Sequence, residues 1–263
     1  MINHIALGST GLQVSRIGLG TVKFGRNQAV KYPRAFTLPS DKEIIELLAL
    51  SKDLGINLLD TAPAYGVSEE RLGKALHGQR QHWILSTKAG EEFMNGQSVF
   101  DFTADTIIQS IERSLKRLHT DYLDIVLIHS SGEDQKIIED HAVFDTLARL
   151  KTAGKIRAFG MSTKTLSGGL STIDHADVVM ATYNPLQIEE QPILAHAHKK
   201  NKGVLIKKAF ASGHLTTGNN TVTDALHFIF KEPGVSSIIL GTINPQHLRH
   251  NIAAAESALG INP

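Results

Sequence analysis

Cysteine is absent from the whole chain. That excludes disulfides, thiolate metal sites and thiol nucleophiles, and it fits a reducing compartment. Charge of one sign is also missing in any excess: 27 Lys and Arg face 26 Asp and Glu, interspersed, for a net of +1. This balance gives no electrostatic case for nucleic acid or an anionic membrane. Long hydrophobic runs are lacking; none approaches the roughly 20 residues needed to span a bilayer. Met1-Ile2-Asn3-His4 carries neither a basic start nor an apolar run of the kind a signal peptide needs. A cytoplasmic protein is the expectation.

The common nucleotide and hydrolase signatures are missing as well. The nearest approach to G-x-G-x-x-G is Gly18-Leu19-Gly20-Thr21-Val22-Lys23, whose sixth position is lysine where close helix packing wants glycine. There is no G-x-x-x-x-G-K-[ST] and no G-x-S-x-G. Thirteen histidines invite a metal reading, but no H-E-x-x-H occurs. His196 and His198 are two apart on a predicted helix and so face different ways. No metal site is expected.

What is present is an alternation of short apolar strands and amphipathic helices. Ile5–Leu7, a Gly8-Ser9-Thr10-Gly11 turn and Leu12–Val14 read as a hairpin. Ile17–Gly20 follows as the first of eight strands, the others near 57–60, 82–87, 123–128, 156–161, 177–181, 203–206 and 237–240. Helices fit at about 41–54, 68–77, 104–118, 137–153, 164–172, 189–200, 221–231 and 245–258. Ser40 with Glu43 reads as a capping box. Ile107, Ile108, Ile111, Leu115 and Leu118 mark one helical face. Eight such units over about 250 residues predict a (β/α)8 TIM barrel with an N-terminal β-hairpin, one domain over residues 1–263. A doubly wound open sheet is the alternative.

Barrel enzymes place their sites at the C-terminal ends of the strands. Three predicted strands end in Asp60, Lys88 and His129, and Tyr65 follows the first within five residues. A free tyrosine has a pKa of about 10, and lowering it to 7 or 8 takes roughly 3–4 kcal/mol. An ammonium such as Lys88 in a dry pocket favours the phenolate, Asp60 would keep that ammonium charged, and His129 can share a hydrogen bond. Each residue alone has a plain structural reading; together they point to proton transfer.

The segment Asp60-Thr61-Ala62-Pro63-Ala64-Tyr65-Gly66-Val67-Ser68-Glu69-Glu70-Arg71-Leu72-Gly73 resembles the signature of the aldo-keto reductase family. Ser86-Thr87-Lys88, Leu127-Ile128-His129, Gly160-Met161-Ser162-Thr163 and Tyr183-Asn184 are similar to its further motifs. The resemblance implies hydride transfer between a nicotinamide cofactor and a small aldehyde, ketone or sugar. In it Tyr65 is proton donor, Lys88 and Asp60 tune it, and His129 orients the carbonyl. NADPH is the implied cofactor, with NADH the alternative.

The resemblance also assigns cofactor contacts. Gly20 and Thr21 lie near the reacting end. Ser162 matches the residue that bonds the carboxamide, and Thr163 replaces the usual Asn. Met180 stands where many relatives carry Gln. Lys207 stands where many carry an aromatic residue that stacks on the ring, leaving the ring to be held otherwise, in part by Tyr183. Ser212, Gly213 and Leu215 match a loop over the pyrophosphate. Gly241, Thr242, His247 and Asn251 fall at the adenosine end, with His247 at the position of a phosphate-binding Arg and His250 at that of a glutamate. An open pocket is expected, walled by 26–36, 89–102 and 130–136, with Trp83 in the core. A sugar dehydrogenase running the reverse step and a non-catalytic cofactor-binding subunit are the competing readings.

Overall fold

Strand periodicity decides which side chains reach the centre of this molecule. A computed structural model describes residues 1–30, 32, 35–211, 213 and 221–261. The antiparallel hairpin of β1 (His4–Ala6) and β2 (Gln13–Ser15) comes first. Parallel strands follow: β3 (Ile17–Gly20), β4 (Leu58–Asp60) and β5 (Ile84–Ala89). A second antiparallel hairpin, β6 (Glu91–Met94) and β7 (Gln97–Phe100), interrupts the alternation. Then come β8 (Leu123–His129), β9 (Ile156–Ser162), β10 (Val178–Thr182), β11 (Gly203–Lys207) and β12 (Ser237–Leu240). The eight parallel strands close into a barrel, with β12 pairing back onto β3. The predicted barrel and its N-terminal hairpin are therefore both present.

Successive strand residues face opposite sides. Ile125 and Leu127 of β8 point inward and join Leu58, Ala158, Val178, Met180 and Leu205 in the barrel's own core. Leu7, Leu12 and Val14 from the hairpin region complete that cluster and plug the N-terminal end. The intervening residues, such as Val126, Ile128, Val179, Ala181, Val204 and Ile206, face outward into a larger shell beneath the helices.

The helices are α1 (Val22–Gly25), α2 (Asp41–Asp53), α3 (Ser68–Ala75), α4 (Ala104–Arg117), α5 (Asp134–His141) and α6 (Val143–Thr152). They continue as α7 (Leu166–His175), α8 (Gln191–Lys199), α9 (Val222–Phe230) and α10 (Pro245–Ala258). The capping box at Ser40 and Glu43 forms as predicted, and Asn244 caps α10 with Pro245 inside the first turn. On α4, Ile107, Ile111 and Leu115 are buried, as their spacing requires.

Two expectations need correction. The single helix at 137–153 is two helices, broken where Ala142 adopts a left-handed φ of 45°. The break lets α6 bury Val143, Phe144 and Leu147, with the Phe144 ring 6.1 Å from Phe159 of β9. No glycine or proline announces it. The wall at 89–102 is also more than a loop, since it folds as the β6–β7 hairpin. Met94 pairs with Gln97 around Asn95 and Gly96, which sit at φ of 51° and 80°. Asn-Gly is the strongest short hairpin signal because both turn residues need positive φ. Trp83 lies one residue before β5 rather than within it, and it is buried as expected.

Gly160 on β9 shows how closely the barrel wall is fitted. A Cβ there would come within 1.6 Å of the Val178 carbonyl oxygen on β10. Gly160→Ala is therefore expected to cost about 3 kcal/mol by forcing two paired strands apart. Denaturant unfolding followed by circular dichroism measures this, and an unchanged midpoint would refute the reading.

Candidate active site

The last inward-facing position of each strand forms the mouth of the barrel. By strand alternation these are Gly20 on β3, Asp60 on β4, Lys88 on β5, His129 on β8, Ser162 on β9, Thr182 on β10, Lys207 on β11 and Ile239 on β12. Below this layer the interior is apolar; at it, almost every side chain is polar. The four residues singled out for proton transfer are thus brought together, three by strand register and Tyr65 by the turn after β4.

Lys88 and Asp60 form an ion pair that is almost fully buried, at 1% and 3% exposure. The Lys88 ammonium donates to Asp60 Oδ1 and Oδ2, each at 2.8 Å, and to the Thr61 carbonyl at 2.9 Å. The Ser86 hydroxyl donates to Asp60 Oδ1 at 3.0 Å. The three ammonium hydrogens therefore have acceptors, which a buried charge requires. Burial alone would lower the Lys88 pKa, but the Asp60 charge and the adjoining Tyr65 carry it above its ordinary value.

Tyr65 closes a short 3₁₀ turn, Pro63–Tyr65. Gly66 follows at φ 63°, and a Cβ there would lie 2.3 Å from the Gly25 carbonyl oxygen. This close approach ties the turn to α1. Arg26 adds a clamp, donating to the Ala64 carbonyl at 3.0 Å while its guanidinium lies 3.4 Å from the centre of the Phe93 ring. The Tyr65 ring is half-buried, 4.9 Å from Lys88 Nζ and edge-on to His129 with centroids 6.1 Å apart.

The electrostatics of Tyr65 differ from the sequence-based expectation. Burial raises its pKa, and the opposing pull of Lys88 does not overcome this. The Asp60 charge also pushes the phenol upward and offsets part of that pull. The phenol therefore rests in its protonated form at neutral pH.

His129 has a neighbour that the sequence reading missed. Its Nδ1 lies 2.6 Å from Glu91 Oε2, although that oxygen is off the line of the ring N–H. Burial lowers the His129 pKa, Glu91 raises it in part, and Lys88 and Lys207 oppose protonation. Burial would raise Glu91, but His129, the Ser98 hydroxyl at 2.5 Å and the Arg26 charge bring it down to about 2. Glu91 opens β6, so its role became visible only once the Asn95-Gly96 hairpin was recognised.

On the other side of the mouth, Lys207 Nζ donates to Ser162 Oγ at 2.9 Å and to the Thr163 carbonyl at 2.5 Å. Enclosure pulls the Lys207 pKa down to about 7 against the attraction of Glu190. The Thr163 hydroxyl is buried with no partner among the described residues. Met180 faces the barrel core below. Tyr183 does not face the mouth: its ring stacks on Phe228 at 5.1 Å and its hydroxyl donates to Glu232 at 3.3 Å. That position supports packing under α9 rather than contact with a cofactor ring.

Gly20 and Gly241 let β3, β12 and Tyr32 pack closely at one edge of the mouth. A Cβ on Gly20 would lie 3.1 Å from Ile239, and one on Gly241 would lie 2.9 Å from the Tyr32 hydroxyl. Thr21 donates to the Asp60 carbonyl at 3.0 Å, and Thr242 bonds the Asn244 amide at 3.1 Å. Gly213 adopts φ 97°, while Ser212 and Leu215 lie outside the described residues. His247 and His250 are exposed on α10 and Asn251 is buried.

The model of the Aldo/keto reductase family matches residues 16–225. A Pseudomonas aeruginosa crystal structure, described as a candidate aldo-keto reductase, is 52% identical with a TM-score of 0.90, covering 97% of this chain and 96% of that one. The Bacillus subtilis protein named aldo-keto reductase YhdN is 33% identical over 82% of this chain, and the match spans 64% of YhdN's own length. L-galactose dehydrogenase from Arabidopsis thaliana is 28% identical, covering 95% of this chain and 86% of that protein. The chain belongs to the aldo/keto reductase family, a family of oxidoreductases that use nicotinamide cofactors.

Removing one partner of the central ion pair leaves the other charge buried alone. Lys88→Met is therefore expected to destabilise the fold by about 3–5 kcal/mol at pH 7, and the double variant Lys88→Met/Asp60→Leu to recover most of that loss. Because the Lys88 pKa is raised, its contribution is complete at every pH below its ordinary value of 10.5 and is lost only as pH rises through the folded value. Urea titrations of the three proteins decide the point; a double variant no more stable than Lys88→Met would count against it.

Proposed function

We propose that this protein reduces small aldehydes or ketones to alcohols with a nicotinamide cofactor, and that Tyr65 donates the proton. The observation that carries the reading is the joint placement of Asp60, Lys88, Tyr65 and His129 at one barrel mouth, beside a buried Thr163 hydroxyl with no partner among the described residues.

The residues present suit such a cofactor. A carboxamide offers both a donor and acceptors, and Thr163 Oγ1, Ser162 and Lys207 supply the complements. Gly20, Thr21, Gly241 and Thr242 would accept its flat reacting end and the chain leading from it. Ser212, Gly213 and Leu215 would cover the pyrophosphate. His247 and Asn251, with the N-terminus of α10 capped by Asn244 and free of acidic residues in its first turn, would hold the adenosine end. A helix N-terminus free of acidic residues suits an added phosphate and so favours NADPH over NADH.

When bound, the cofactor supplies a hydride to the carbonyl carbon. Tyr65 gives its phenol proton to the oxygen as negative charge builds there, and its resting protonated form is the one that this step requires. The Lys88 ammonium beside the ring stabilises the phenolate left behind, and Asp60 holds that ammonium charged and in place. His129 fixes the position of the substrate oxygen. The same groups run in reverse for alcohol oxidation, with Tyr65 as base. A sugar dehydrogenase is the second reading, favoured by the likeness to L-galactose dehydrogenase. A cytoplasmic location goes with either, in keeping with a cysteine-free chain whose described helices are none of them long and apolar enough to cross a membrane.

Steady-state rates with an aldehyde and sugar panel, in both directions and with NADPH and NADH, test this proposal beside Tyr65→Phe. The substitution is expected to lower turnover about 10²–10⁴-fold while leaving cofactor affinity nearly unaltered. Unchanged turnover would remove Tyr65 from the acid role, and cofactor binding with no turnover of any substrate would favour a regulatory subunit.

A further inference from the structure

We propose that Glu91 is a positioning residue for the reaction: its carboxylate holds the His129 imidazole through Nδ1, so that Nε2 is presented to the substrate oxygen. The inference deepens the proposed function and rests on it for the role of His129. The contact itself rests on geometry alone.

Glu91 stands where β5 leaves the barrel and the β6–β7 hairpin begins, and it is 9% exposed. A carboxylate this buried needs partners. It has the Ser98 hydroxyl at 2.5 Å from across the hairpin, His129 Nδ1 at 2.6 Å from β8, and the Arg26 charge from beyond α1. Arg26 also stacks on Phe93 and bonds the Ala64 carbonyl, so the same hairpin braces the turn that carries Tyr65. One insertion thus sets the positions of both the edge-on rings at the mouth.

The chemistry follows from the tautomer. An ionised carboxylate 2.6 Å away, although off the line of the ring N–H, favours the proton on Nδ1. Neutral His129 then has a bare Nε2, which accepts a hydrogen bond from an alcohol. Only the imidazolium donates from Nε2 to a carbonyl oxygen. The groups facing His129 are mixed in sign. Lys88 and Lys207 oppose the imidazolium, Glu91 favours it, Asp60 is taken up by Lys88, Arg26 shares Glu91, and Tyr65 is neutral. Glu91 is therefore the group that keeps the donor form within reach, which matters most for carbonyl reduction.

The test is the side-chain ¹H–¹⁵N NMR titration of His129, assigned with His129→Gln, in the full-length wild type and in Glu91→Gln. The signal reads proton position and titration without turnover, so it decides the Glu91 contact even if no carbonyl proves to be a substrate. In the wild type the neutral ring is expected as the Nδ1–H tautomer. In Glu91→Gln the His129 pKa is expected to fall by about one unit or more, because an anion has been removed. With turnover, kcat/KM for carbonyl reduction at pH 7 should drop about ten- to a hundredfold, with the alkaline limb of the pH profile moved to lower pH and cofactor Kd unchanged. Glu91→Asp keeps the charge and is expected to restore much of the pKa while losing rate through its shorter reach. A His129 tautomer and pKa that are the same in all three proteins would overturn the proposal.

Discussion

The buried pair of Lys88 and Asp60 is the interaction on which the rest of the site depends. Two opposite charges at 2.8 Å, each almost wholly withdrawn from water, are tolerated only when their remaining hydrogen-bonding capacity is met. Ser86 and the Thr61 carbonyl meet it, and both come from the same two strands that carry the pair. The requirement therefore fixes the register of β4 against β5, where Asp60 pairs with Ser86. It also fixes the backbone at Thr61, from which the chain turns to present Tyr65. Burial of the Tyr65 phenol, helped by the Asp60 charge, outweighs the pull of an ammonium 4.9 Å from its ring, so the phenol keeps its proton.

The apolar interior beneath the mouth makes this arrangement possible. Leu58, Ile125, Leu127, Met180 and Leu205 fill the barrel, and Leu7, Leu12 and Val14 stop its far end. Water is thereby excluded from below, so that charge at the mouth is screened from one side only. Polar side chains then accumulate where the strands end, and their pKa values move apart: Glu91 falls to about 2, Lys207 falls to about 7, and Tyr65 rises. Such divergence among close titratable groups is the usual mark of a site that moves protons.

Much of this was legible in the sequence because strand alternation is a strict code. Ile125, Leu127 and His129 share a face by spacing alone, and so do Leu58 and Asp60. The capping residues Ser40 and Asn244 were readable for the same local reason. What was not legible depended on contacts between distant segments. Ala142 takes a left-handed conformation to redirect α6 onto β9, and nothing in its own chemistry says so. Tyr183 directly follows β10, whose even-numbered residues Val178 and Met180 face inward; continuing that alternation puts it outside, against Phe228. Glu91 was hidden for a different reason. Asn95-Gly96 gave a clear hairpin signal, but reading the segment as a pocket wall left no cause to ask where its first residue pointed.

The rigidity of the mouth comes from braces between loops. Asp134 accepts the Lys164 and Thr165 amides at 2.8 and 2.7 Å and the Thr165 hydroxyl at 2.7 Å, and it also pairs with the Ser130 hydroxyl. It thereby joins the segment after His129 to the segment after Ser162. Gly168 permits this, since a Cβ there would lie 2.1 Å from that of Asp134. Arg26 braces the opposite side through Ala64 and Phe93. Together they hold His129, Ser162 and Tyr65 from outside the reacting centre, where a polar network is fully satisfied and so can specify one geometry. Lys207 reaches across to Ser162 and the Thr163 carbonyl, and Asn184 braces the segment after it by donating to the Lys208 carbonyl at 3.0 Å. The proton-transfer side of the mouth is thus preset by the fold, whereas the side that presents Lys207 and the unpartnered Thr163 hydroxyl retains bonding capacity for a guest.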